Sequence, residues 1–78
     1  MKATTEKTLG EAIRTRRLAR RMTLEQLGAA AEVDISQLSK IERGICRTSF
    51  PTYDRIALAL GWTPAALWRQ ATRPSSAA

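Results

Sequence analysis

The chain has 78 residues, 44% of them hydrophobic, which leaves room for one small domain with a packed core and argues against wholesale disorder. Thirteen lysines and arginines oppose seven acidic residues, giving a net charge of +6, and the chain has one cysteine and no histidine. Because the usual acid–base groups and metal-ligand sets are missing, we expect no enzyme activity, no disulfide, no metal and no cofactor.

Residues 1–7 are polar and predict a flexible N-terminal segment rather than a secretory signal. No apolar run in the chain approaches the roughly 20 residues of a membrane span. We therefore expect a cytoplasmic protein without a membrane partner.

Two capping patterns predict the first two helices. Thr8 precedes Glu11 by the three residues of a capping box and predicts a helix over residues 9–20. Thr23, with a glutamine three residues later, repeats the pattern and predicts a second helix over residues 24–30.

A third helix follows after a short connection. Asp34 is a favourable N-cap, and the helix is predicted over residues 35–43 with Leu38 and Ile41 facing inward. Gly44 ends the helix, since glycine adopts the left-handed conformation common just beyond a helix terminus.

Two more helices complete an all-α domain over residues 8–71. Ser49 caps the fourth helix, with Pro51 in its first turn, and Thr63 caps the fifth, which runs to about residue 70. The tail at residues 72–78 is polar and predicted to be disordered. The apolar stripe of the fourth helix consists of Phe50, Tyr53, Ile56, Ala57 and Leu60.

The second and third helices form a pair suited to DNA. A short turn joins them, and the third helix carries small polar and basic side chains that would fit a major groove about 12 Å wide. Five arginines crowd into residues 14–21, and a basic domain attracts a polyanion because neutralised phosphates release counterions. A solvated basic face would give the same charge.

Four stretches resemble the Cro/C1-type (XRE-like) helix-turn-helix family, over about Leu9 to Trp68. They are Leu9-Gly10-Glu11-Ala12-Ile13-Arg14, Met22-Thr23-Leu24-Glu25-Gln26-Leu27, Leu38-Ser39-Lys40-Ile41-Glu42-Arg43-Gly44 and Ile56-Ala57-Leu58-Ala59-Leu60-Gly61. The resemblance implies a compact five-helix domain of the lambda-repressor-like type. It further implies a nucleoid-associated regulator, repressor or controller, that binds double-stranded operator DNA as a homodimer.

The resemblance also assigns contacts to DNA. The third helix would read bases in the major groove through Ile35, Ser36, Gln37 and Lys40. Gln37 could bond an adenine or a phosphate, according to its tilt. An alternative role for Ile35 is a packing contact beside the N-cap. The phosphates would be held by Thr23, Gln26, Arg43, Arg47 and Thr48.

In the family, the glutamate matching Glu42 pairs with an arginine of the first helix, and Arg17 occupies that position. The resemblance therefore implies a partly buried ion pair between them. The alternative is that Arg17 contacts a phosphate.

The chain departs from the family pattern at three positions. Leu24 stands where glutamine usually opens the second helix, which removes a common phosphate contact. Arg21 replaces a frequent glycine, so the turn there is expected to be strained. Arg16 occupies an often aliphatic position, and its stem is expected to lie over the core edge.

One reading helix contacts few base pairs, so specificity usually needs two half-sites and two copies. The predicted dimer surface consists of Phe50, Leu60, Trp62, Ala66, Leu67 and Trp68. The alternative for the two tryptophans is that both close the core beneath the fifth helix. Two other functions compete with operator binding. One is a protein-interaction module, such as an antitoxin, that acts through a protein partner. The other, binding of single-stranded RNA, is weak because the aromatic residues do not interleave with the basic ones.

Overall fold

The computed structural model describes residues 5–71, with side chains from residue 8 onward. Within that range the chain forms five helices and no strand, which confirms the all-α prediction. The helices are α1 (Thr5–Ala19), α2 (Leu24–Ala31), α3 (Ile35–Glu42), α4 (Phe50–Ala59) and α5 (Pro64–Ala71). The predicted flexible residues 1–4 and the predicted tail at 72–78 lie outside the described residues.

The predicted start of α1 was wrong. The helix begins at Thr5, so Thr8 lies inside it and is not its N-cap, and residues 5–7 are helical. Glu6 and Lys7 have straight side chains that lose little freedom in a helix, so nothing local stops the helix at Thr8. The other predicted boundaries agree with the structure to within one residue.

Four helix starts are held by the side chains predicted to cap them. Thr23 and Gln26 form a complete capping box. The backbone amide of Gln26 donates to Thr23 Oγ1 at 3.0 Å, and the backbone amide of Thr23 donates to Gln26 Oε1 at 2.9 Å. The Asp34 carboxylate accepts from the amide of the second residue of α3 at 3.0 Å. Ser49 and Thr63 accept in the same way at the starts of α4 and α5. Each cap satisfies an amide that has no partner within its helix.

The core lies where the five helices meet: α1 packs against α3 and α5, and α4 against α2 and α5. The largest fully buried side chains are Leu9, Ile13, Leu27, Leu38, Ile41, Ile56, Leu60 and Leu67. Phe50 belongs to the predicted apolar stripe of α4 but not to this core, because 68% of its surface is exposed. As the first residue of α4 it lies at the rim, where its ring contacts Trp68.

The backbones of α1 and α3 approach each other at Gly10. A Cβ atom at Gly10 would overlap the main-chain carbonyl oxygens of Ile41 and Glu42, at the end of α3. Only glycine allows this approach, because every other residue carries that Cβ. The placement of α3 on the fold therefore depends on the absence of a side chain at this position.

Two helix ends place a residue other than glycine in the left-handed conformation. Arg21, after α1, has φ 57°, and Glu32, after α2, has φ 58°. After α1, the amides of Arg21 and Met22 donate to the carbonyls of Leu18 and Arg17, both at 3.0 Å. This is the Schellman arrangement, in which glycine is preferred at the position that Arg21 occupies. The expected strain in this turn is thus present.

Replacing Arg21 with glycine is expected to stabilise the fold by about 0.5–1 kcal/mol. Relief of the left-handed strain outweighs the extra backbone freedom of the unfolded chain. Urea unfolding followed by circular dichroism measures the change. Arg14→Gly is the matched control, because Arg14 is exposed within α1 and its replacement should cost about 1 kcal/mol. Losses of stability in both variants would contradict the prediction.

Candidate nucleic-acid interface

One face of α3 is open to solvent. All the residues predicted to contact bases are exposed: Ile35, Ser36, Gln37 and Lys40. Leu38 and Ile41 point the other way and are completely buried. The helix is therefore anchored on one side and free to meet a ligand on the other.

Ile35 has two environments. Its side chain is 45% exposed, yet its Cγ1 would lie only 3.6 Å from a Cβ atom at Gly28 of α2. Ile35 thus packs beside α2 and also reaches the surface, so a packing contact and a contact to a thymine methyl are compatible.

The predicted phosphate contacts Thr23 and Gln26 are the N-cap and the third residue of α2. Both side chains are exposed, and each bonds the other's amide in the capping box. The amide nitrogen of the Gln26 side chain is not used in that box. Because the first amides of a helix lack helical partners and carry partial positive charge, this end of α2 suits a phosphate.

Arg17 and Glu42 form a buried ion pair between α1 and α3. The Arg17 Nε and Nη2 atoms lie 2.7 and 3.1 Å from the two carboxylate oxygens, and Nη1 donates to the Met22 carbonyl at 2.8 Å. The side chains are only 10% and 4% exposed. The hydrogen bond to Glu42 raises the pKa of Arg17 above its ordinary value, despite burial, which lowers it.

This pair keeps the Glu42 carboxylate away from the exposed face of α3. Glu42 turns inward, and its charge is neutralised by Arg17 at bidentate geometry. The alternative role of Arg17 as a phosphate contact is disfavoured, because the side chain is buried and three of its nitrogens already donate.

The segment after α3 carries the remaining predicted phosphate contacts. Arg43 and Arg47 are exposed, and Arg43 Nε lies 3.4 Å from the Ser39 carbonyl. Thr48 is half-buried and accepts a hydrogen bond from Gln37 Nε2 at 3.4 Å. This link leaves no local pattern in the sequence, because the two residues lie in different elements.

Residues 8–69 match the family model described as a helix-turn-helix domain. The chain belongs to this family. The helix-turn-helix family that the resemblance predicted is thereby confirmed.

Solved structures of regulators share the fold of this helix-turn-helix domain. Two structures of the clp gene regulator ClgR from Corynebacterium glutamicum are each 30% identical to it and cover 91% of it, with TM-scores of 0.86 and 0.85. The matches span 76% and 91% of those chains. A mutant of the restriction-modification controller protein C.Esp1396I has 21% identity, covers 91% of this chain and 90% of its own, and has a TM-score of 0.81. That identity shows the fold alone. No curated protein matches the chain.

Family membership and the similarity to a gene regulator together identify this helix-turn-helix domain as a DNA-binding transcriptional regulator and not an enzyme. No helix within residues 5–71 is long and apolar enough to cross a membrane. Among the same residues, no cluster of potential metal-binding side chains occurs.

The predicted dimer surface needs a correction. Leu60 and Leu67 are completely buried within one copy of the domain, so neither can contact a second copy. Both belong to the core because α4 and α5 pack against each other. Phe50, Trp62, Ala66 and Trp68 stay at least partly exposed.

The two tryptophans of the domain have different neighbours. Trp68 packs edge-on against Phe50 and Tyr53, with ring centroids 5.6 and 6.0 Å away. Trp62 lies beneath the Arg16 guanidinium at 5.1 Å, and Arg16 Nε donates to the Leu60 carbonyl at 3.0 Å. Arg16 thus lies over the core edge, as its unusual position predicted.

Some apolar surface was missed by the sequence analysis. Leu18, Ile45 and Leu58 are each more than half exposed. Helical spacing already puts Leu58 off the apolar stripe of α4, so a helical wheel would have identified it. The loop residue Ile45 has no periodic signal of this kind.

Proposed function

We propose that the protein is a homodimeric, sequence-specific regulator that binds operator DNA with α3 in the major groove. The observation that carries the proposal is the exposed face of α3, formed by Ile35, Ser36, Gln37 and Lys40. The opposite face of that helix is buried, its start is capped by Asp34, and its end is tied to α1 by the Arg17–Glu42 pair. A reading helix needs such a rigid support to present side chains to bases in one register.

The exposed side chains provide distinct contacts. Lys40 donates to guanine O6 or N7, Ser36 donates or accepts, and Ile35 contacts a thymine methyl. Phosphate contacts come from the start of α2 and from the segment after α3, and they hold the helix in position. The residues proposed for them are Thr23, Gln26, Arg43 and Arg47, whereas the Thr48 hydroxyl is bonded to Gln37.

The size of the domain, compared with the spacing of the major grooves, supports two copies on one operator. The described chain measures 34 × 22 × 21 Å and contains one exposed reading helix. Successive major grooves on one face of DNA lie roughly 34 Å apart, so a second copy is needed to read the next one. We place the contact between copies at Phe50, Trp62, Ala66 and Trp68, whose rings and methyl group remain partly exposed.

Selection of binding sites from random duplex DNA tests the proposal. The wild-type protein should enrich a two-fold symmetric sequence. Lys40→Ala should relax one base pair in each half-site at a cost of about 1–3 kcal/mol, because a direct contact to the base is lost.

Arg43→Ala is the matched control for Lys40→Ala. It removes a proposed phosphate contact, so binding should weaken by a similar factor for all sequences. The slope of log affinity against log salt concentration should become smaller in magnitude by about one. Binding without sequence preference that vanishes at moderate salt would overturn operator recognition. Enrichment of a sequence without two-fold symmetry would overturn the homodimer.

A further inference from the structure

The side chains of Gln37 and Thr48 connect the exposed face of α3 to the segment that follows it. Gln37 Nε2 donates to Thr48 Oγ1 at 3.4 Å. The family resemblance gave the two residues separate tasks, a base contact for Gln37 and a phosphate contact for Thr48. The hydrogen bond instead places Thr48 where it can act on DNA through Gln37.

The backbone around Thr48 is held at both ends of the connecting segment. The amides of Gly44 and Ile45 donate back to carbonyls in the last turn of α3 at 3.0 and 3.1 Å. At the other end, Ser49 caps α4, and its hydroxyl lies 3.0 Å from the Thr52 hydroxyl. Thr48 therefore stands on a fixed backbone, from which it can restrain an exposed side chain that would otherwise rotate freely.

This hydrogen bond restrains the Gln37 amide on the exposed face of α3. One hydrogen of Nε2 is committed to Thr48, so Oε1 remains as an acceptor and the second hydrogen as a donor. Adenine presents a matching N6 donor and N7 acceptor side by side in the major groove, whereas guanine presents only the acceptors O6 and N7.

We propose that Thr48 is a positioning residue that orients the Gln37 amide, so that Gln37 selects adenine against guanine. The inference rests on the proposed placement of α3 in the major groove. It adds to that placement a specificity-determining residue outside the reading helix.

Thr48→Val tests the inference, because valine keeps the shape of threonine and removes only the hydroxyl. Site selection and titration of the wild-type protein come first, and Gln37→Ala identifies the base pair that Gln37 reads. At that pair, Thr48→Val should reduce the preference for adenine over guanine at least about fivefold. Affinity for sequences with other bases at that pair should change little, since no phosphate contact is lost.

Thr48→Ser is the matched control, and it should keep the adenine preference because it keeps the hydroxyl. In the Gln37→Ala background, Thr48→Val should have no further effect on base preference, since the two residues act as one unit. Melting temperatures of all variants check that each is folded.

Three results would overturn the inference while leaving operator binding intact. The first is a loss of affinity by the same factor for all sequences, which marks a phosphate contact. The second is a guanine at the pair read by Gln37, and the third is an unchanged preference in Thr48→Val. Failure of the wild-type protein to select any sequence would overturn the proposed function itself, before any variant is compared.

Discussion

Glu42→Gln is expected to destabilise the protein by about 3–5 kcal/mol, the usual cost of removing one partner from a buried ion pair. Two Arg17 nitrogens now lie 2.7 and 3.1 Å from the two oxygens of the Glu42 carboxylate. With glutamine in its place, the Arg17 guanidinium would remain buried without an opposing charge. Since a domain of this size is stabilised by only about 4–12 kcal/mol, the loss is a large part of the total. Urea unfolding monitored by circular dichroism gives the change in the free energy of unfolding.

Glu11→Gln serves as the matched control, because the Glu11 side chain is exposed on α1. Its replacement should change stability by less than about 0.5 kcal/mol. The double variant Arg17→Met with Glu42→Leu should recover most of the loss, since an apolar pair of similar volume needs no charge compensation. Equal effects of Glu42→Gln and Glu11→Gln would show that the buried pair does not stabilise the fold.

Gly10→Ala is expected to destabilise the fold by about 1–3 kcal/mol, although alanine favours helix formation by nearly 1 kcal/mol over glycine. The added methyl group would overlap the carbonyl oxygens of Ile41 and Glu42. Those oxygens belong to the backbone of α3, so relief requires the two helices to move apart. The same denaturation experiment measures the loss.

Thr15→Ala separates packing from helix propensity. Thr15 lies on the exposed side of the same helix, so this substitution should be neutral or slightly stabilising. A gain of stability in Gly10→Ala comparable to that in Thr15→Ala would contradict the close approach of α1 and α3. If Gly10→Ala stays folded but displaces α3, its DNA affinity should fall by more than the decrease in the folded fraction explains.

Local capping chemistry was the part of the fold best predicted from the sequence. Thr23, Asp34, Ser49 and Thr63 each bond an amide two or three residues away, so their partners are set by the chain itself. The start of α1 shows the limit of such patterns. Thr8 and Glu11 have the same spacing as a capping box, yet the helix continues through Thr8 to Thr5 because no residue before it interrupts the helix.

The candidate site was predicted in part. The solvent-facing residues of α3 follow from helical period, because Leu38 and Ile41 must face the core. The pairing of Arg17 with Glu42 came from the family resemblance, not from spacing, since the residues lie 25 positions apart. The contact of Gln37 with Thr48 was missed, because it joins a helix to a loop whose path the sequence does not specify.

The sequence by itself determined the number of helices, the caps of α2 to α5 and the exposed face of α3, because these depend on hydrogen bonds and periodicities within a few residues. The tertiary structure decided that Leu60 and Leu67 belong to the core and that Phe50 lies at the surface. It also decided which side chain accepts from Gln37. These outcomes depend on how α4, α5 and the loop after α3 pack against the other helices, and contacts between residues distant in the chain leave no local pattern to read.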